Sequence, residues 1–113
     1  LSGSHQVSGA PADTLTVLGG PEDGRVLVLA PEESLGRHSD AGGASHPLYE
    51  GMRLTDRRLS RKHLVWKGQG LVELARAARR FRAGEIARVG PGEVDIRAGD
   101  LLVLTHATRL ICG

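Results

Sequence analysis

A chain of 113 residues with a formal net charge of +2 has room for one compact domain, and a domain of that size buries enough surface to fold without a disulfide or a metal. Tyr49, Trp66 and Phe81 are its only large aromatic residues, so the core has to be aliphatic and stacking platforms for single-stranded nucleic acid are poorly supplied. Cys112 is the one cysteine. It excludes an internal disulfide and a multi-cysteine zinc site and fits a reducing compartment. No run approaches the roughly 18–20 apolar residues of a membrane span, and a cytoplasmic location, nuclear in a eukaryote, is the expectation.

Residues 1–12 are small, polar and aperiodic, and Gly3-Ser4-His5 resembles a cloning remnant. They are expected to form a disordered tag or linker ahead of a domain over residues 13–113. Leu15-Thr16-Val17-Leu18 and residues 25–29 are β-prone and flank the turn chemistry of residues 19–24, which predicts a hairpin. Residues 31–37 then lead into a polar stretch, 38–51, in which nothing alternates; it reads as a loop. Leu64-Val65-Trp66-Lys67 reads as a strand ended by Gly68-Gln69-Gly70. Residues 71–83 are ambiguous, because Leu71, Leu74, Ala75 and Ala78 also fit helical spacing. Downstream, residues 86–89, 94–96, 101–104 and 108–112 are short β-prone runs separated by Gly/Pro turns. Short strands at this spacing predict an all-β sandwich or barrel, and that background tips 71–83 towards strand and loop.

Thirteen of the fifteen basic residues are arginine, and seven fall in two bursts, Arg53, Arg57, Arg58, Arg61 and Arg76, Arg79, Arg80, with Arg82 just behind. The planar guanidinium fork suits phosphate and carboxylate, so the bursts are candidate anion sites as well as candidate solvated faces. An enzyme would need a nucleophile, a base and an orienter; Ser60, His63 and Asp56 are the right residue types, but no glycine-framed elbow surrounds Ser60. The chain is therefore read as a non-enzyme. His38, His46 and His63 have no ligand-like pairing, so neither a metal nor another cofactor is expected.

Five landmarks in order resemble the forkhead-associated (FHA) domain family over residues 14–112: Leu-Thr-Val-Leu with its Gly-rich turn, Gly36-Arg37, Ser60-x-x-His63 before an apolar strand, residues 81–84, and Gly99-Asp100. The resemblance implies an eleven-strand, two-sheet β-sandwich with ligand-binding loops at one end. It implies a module that binds a phosphothreonine-containing segment of a partner protein in signalling or regulation. It also implies that Arg37 and Ser60 contact the phosphate, that Arg61 adds a charged contact, that Gly36 lets backbones approach closely, and that His63 supports the binding loop. Residues 55–61 are similar to the branch of the family found in DNA-end-repair proteins, which raises Arg58 as a further phosphate contact. The chemistry agrees: a phosphothreonine brings nearly two charges and three acceptor oxygens, and needs a guanidinium, a hydroxyl and backbone donors.

The sequence departs from the family at the Asn-Gly segment, where Ala78 and Arg79 stand in its place. One ligand-orienting hydrogen bond is then missing, typically about 0.5–1.5 kcal/mol. Two readings stay open. Arg76, Arg79 and Arg80 are possible ligand contacts that replace the amide by charge and favour acidic or multiply phosphorylated segments; or phosphate dependence is lost and the domain is an interaction or oligomerisation module. A nucleic-acid module is the remaining rival, weakened by the small net charge.

Overall fold

Alternation of buried and half-exposed side chains builds the first strand of the computed structural model, which describes residues 10–37 and 51–113. In β1 (Leu15–Leu18), Leu15 and Val17 point inwards while Thr16 and Leu18 point out, the period-2 signature of a sheet with one covered face. β1 pairs antiparallel with β2 (Val26–Leu27), as the hairpin expectation required. The chain continues through β3 (Ser34–Arg37), β4 (Gly51–Leu54), β5 (Leu64–Gly68), β6 (Leu71–Leu74), β7 (Ala78–Arg82), β8 (Glu85–Val89), β9 (Gly92–Asp95), β10 (Leu101–Val103) and β11 (Arg109–Cys112).

The strands form two sheets, β2-β1-β11-β10-β7-β8 and β4-β3-β5-β6-β9. All pairings are antiparallel except β3 with β4, which is parallel and runs Ser34 beside Gly51 and Arg37 beside Leu54. The all-β sandwich expected from the sequence is thus the observed architecture. Its core joins Leu15, Val17, Leu102 and Leu110 of the first sheet to Leu35, Leu64, Val72 and Leu74 of the second, all essentially inaccessible. The helical spacing in residues 71–83 does not produce a helix. Leu71–Leu74 pairs with β5 and β9, and Ala78–Arg82 pairs with β10 and β8; four partner strands outweigh a propensity of a few tenths of a kcal/mol per residue.

Two boundaries differ from expectation. The N-terminal segment read as linker is placed from Ala10 onwards: Pro11 bridges Arg97, the Ala12 amide donates to the Ile96 carbonyl at 3.2 Å, and Ala12 is fully buried. A small apolar residue fits that gap, and polar composition around it hid the contact. Gly51, assigned to the loop, opens β4. Residues 1–9 of the linker, and residues 38–50 of the loop with His38 and His46, lie outside the described residues.

At the end of the sandwich where β6 meets β9 through Leu71 and Asp95, an ion cluster joins the sheets. Arg82 donates to both carboxylate oxygens of Asp100, at 2.9 and 2.7 Å, and to Asp95 at 3.3 Å. Asp100 also accepts the Arg97 amide at 2.8 Å, closing the turn before β10. Burial raises the Asp100 carboxyl pKa, but the Arg82 guanidinium and the Arg97 amide outweigh it and hold the group below its ordinary value.

Cys112 ends β11 inside the core, and burial together with the Asp100 carboxylate pushes its thiol up to about 12. The thiolate is the reactive form. Native protein at pH 8 is therefore expected to resist iodoacetamide for hours and to alkylate fully once unfolded in guanidinium. Stoichiometric native labelling within minutes, read by mass spectrometry, would contradict the buried placement.

Candidate functional site

The opposite end of the sandwich is built by backbone contact between the tip of β3 and the loop of residues 55–63. The Arg37 amide donates to the Ser60 carbonyl at 2.9 Å, and the His63 amide donates to the Leu35 carbonyl at 2.9 Å. Gly36, between those two bonds, lies so close to the loop that a Cβ there would sit 1.8 Å from the Arg61 carbonyl oxygen and 2.7 Å from that of Ser60. Only glycine fits, because the obstacle is backbone and cannot turn aside. This contact sets Arg37 beside Ser60.

His63 then fixes the loop's shape. The Ser60 amide donates to His63 Nδ1 at 3.0 Å, so the ring is neutral with its proton on Nε2, and the His63 carbonyl accepts the Ala75 amide at 2.9 Å. The ring is 1 % exposed, and Nε2 has no partner among the described residues. Burial, and next the charge of Arg76, lower the imidazole pKa against a weaker opposing pull from Asp56. Protonating Nδ1 would set it against the Ser60 amide, donor against donor. Nδ1 is thus occupied by a backbone amide, and the Asp56 carboxylate is engaged elsewhere, so Ser60, His63 and Asp56 do not form a nucleophile–base–orienter relay.

Asp56 ties the loop to the other sheet. One of its oxygens accepts from Thr105 Oγ1 at 2.5 Å and from Thr108 Oγ1 at 2.6 Å, and the other accepts the Arg58 amide at 2.9 Å. Burial works against the carboxylate, but these bonds outweigh it and bring its pKa to about 2. Leu59 anchors the same loop in the core, and Thr55 Oγ1 donates to Glu22 in the β1–β2 turn at 2.9 Å. The Asp56–Thr105–Thr108 cluster was not legible as a site feature, since its members lie 49 and 52 residues apart.

The residues singled out in the sequence divide into three groups. Gly36, Arg37, Ser60 and His63 meet at the β3 tip; Arg58 and Arg61 lie on the same loop and are exposed, with 56 % of the Arg58 side chain open to solvent and its guanidinium 3.5 Å from Asp56. Arg76 is exposed in the connection 75–77, directly after the residue bonded to His63. Arg79 points outwards from β7 into a recess of about 400 Å³ shared with Thr105 and His106. Arg80 does not join them. It faces the interior of the sandwich and donates to the Asp95 carbonyl at 3.0 Å and carboxylate at 3.2 Å, away from the loop end, which corrects its place among the possible ligand contacts. Ala78, at the position of the missing asparagine, is buried at the start of β7 opposite Val89.

Removing the Asp56 carboxylate leaves two threonine hydroxyls and an amide without their acceptor, so Asp56→Ala is expected to cost about 2–4 kcal/mol, a melting-temperature drop of about 10–20 °C. Because the folded pKa lies below the ordinary carboxylate value, this stabilisation is complete above about pH 4 and lost as pH falls through about 2. For His63 the folded pKa is also depressed; its neutral form is favoured, and stability is full above the unfolded value near 6.5 and declines as pH falls through the lower folded one. Ring carbon NMR shifts should show His63 titrating below 6.5; a midpoint above that value would overturn the neutral-ring geometry.

No family model matches the chain, and no curated protein matches it. Among solved structures, the solution structure of the FHA domain of an Arabidopsis thaliana hypothetical protein is similar over 92 % of this chain and 86 % of that one, with a TM-score of 0.61 and 18 % identity. The order of strands, the two sheets and this structural likeness together give the chain the fold of a forkhead-associated domain.

Proposed function

We propose that the loop end is a phosphate-reading site and that the chain is a recognition module for phosphothreonine-containing segments of a partner protein. The observation that carries this is the close approach at Gly36, which holds Arg37 against the backbone of Ser60. A guanidinium, a hydroxyl and two further arginines, Arg58 and Arg61, are then carried by the β3 tip and the loop packed against it. Such a set matches the charge and the acceptor oxygens of a phosphoryl group. Arg76 adds positive charge from the neighbouring connection, 75–77.

A second reading, a phospho-independent interaction module, is favoured by Ala78, which has no amide with which to orient a ligand backbone. The two separate in one titration. A phosphothreonine peptide library and its unphosphorylated copy are compared by fluorescence anisotropy at fixed ionic strength. On the phosphate reading only the phosphorylated library binds, and Arg37→Ala and Ser60→Ala each weaken it at least about tenfold, as hydrogen bonds to a charged group worth about 1.5–3 kcal/mol are lost. Equal binding of both libraries would sink the phosphate reading and support the second.

A further inference from the structure

β7 carries its arginines on both faces, and the outward ones face like charge. Arg79 stands directly opposite Arg88 of β8 in the cross-strand register, with Val103 on its other side and Arg109 beyond. Directly opposed side chains on one sheet face lie about 4.5–5.5 Å apart at Cβ, and like charges there destabilise the pair. Among the described residues no carboxylate engages either guanidinium, whereas Arg80 and Arg82 one position away are bound to Asp95 and Asp100. The two exposed arginines, with His106 and Thr105, line the recess of about 400 Å³, and among the described residues no Asp or Glu lines it. The recess is joined to the loop end by Thr105 itself, whose hydroxyl donates to Asp56 two residues before Arg58.

We infer that this recess is a second anion subsite, in which Arg79 and Arg88 take a further phosphoryl or carboxylate group of a segment whose phosphothreonine occupies the Arg37–Ser60 site. The inference rests on the phosphate reading of the loop end and adds to it a substrate class: multiply anionic segments. Arg79 and Arg88 both line one recess, and among the described residues no carboxylate lines it. An anion placed there removes their repulsion and makes charge-assisted hydrogen bonds. The occupant is a second charge on the same ligand, because Thr105, which lines the recess, donates its hydroxyl to Asp56 in the 55–63 loop that carries Ser60, so the recess and the loop end are neighbours.

The test compares a singly phosphorylated peptide with peptides that carry a second phosphoserine, or a glutamate, at spacings from two to six residues on either side. At a favourable spacing the doubly charged peptide should bind about tenfold tighter, and the glutamate series shows whether a carboxylate suffices. The variant R79Q/R88Q should erase the gain and leave the singly phosphorylated peptide within about twofold of its original affinity. No gain at any spacing, or a gain that survives in R79Q/R88Q, overturns the second subsite. Inorganic phosphate, followed at the arginine Nε–Hε resonances, separates the two proposals. Shifts at Arg79 and Arg88 in both the wild type and Arg37→Ala support the recess even if Arg37 is silent, and shifts confined to Arg37 reject it. Tight binding of duplex DNA that R79Q/R88Q abolishes, with no gain from the second phosphoserine, would reassign the recess to nucleic acid.

Discussion

A missing side chain organises this molecule. At Gly36 the end of β3 presses against the carbonyl groups of Ser60 and Arg61 at a separation that no Cβ could enter, and the bonds on either side, Arg37 to Ser60 and His63 to Leu35, hold the approach in register. The 55–63 loop gains its outline from that contact, and His63 turns its ring under the loop to accept the Ser60 amide. Arg37 and Ser60 are 23 positions apart in the chain and become neighbours through backbone alone. Side chains positioned this way are preorganised, since they need no contact with one another to be placed.

The Asp56 cluster does for the two sheets what Gly36 does for two segments of one sheet. Its carboxylate reaches from the loop after β4 to the turn between β10 and β11, and the two threonine hydroxyls hold it charged in spite of burial. The loop end is therefore closed by hydrogen bonds and the distant end by the Arg82–Asp100 ion pair, with the aliphatic core between them. The division matters for electrostatics. Carboxylates at the far end are matched with Arg80 and Arg82, and Asp56 at the near end is matched with two hydroxyls, the Arg58 amide and, at 3.5 Å, the Arg58 guanidinium.

Legibility of the sequence followed burial geometry. β1, β5 and β11 each have one face in the core and one outside, and their β-prone composition between turn residues announced them. β3 did not, because Ser34, Leu35 and Gly36 are all buried and the strand lies between β4 and β5, with no outward period to read. Gly36, Ser60 and His63 were recognisable as landmarks, but the reason for each lies across the fold: a carbonyl 1.8 Å from where a Cβ of residue 36 would stand, and a ring nitrogen 3.0 Å from the serine amide. Asp56 stands in the sequence only as the candidate orienter of a Ser60–His63 pair, since its partners follow some fifty residues later and pairing at that distance leaves no local pattern.

The Arg79-Arg80 pair shows most clearly what a linear reading of charge conceals. As a burst, the two arginines are equivalent; on a strand, consecutive side chains go to opposite faces, so one is delivered to solvent and the other to Asp95. The same alternation carries Phe81 outwards beside Leu101 and Ile111 and turns Arg82 inwards to Asp100. A carboxamide at position 78 would have been directional, able to select one ligand conformation. What this chain has instead is a buried alanine followed by one outward arginine, which acts through charge, tolerates more geometries and is screened by salt. On the proposed reading, discrimination shifts from the shape of the ligand backbone to the number and spacing of its negative charges, and that is a property the strand register imposes before any particular partner is considered.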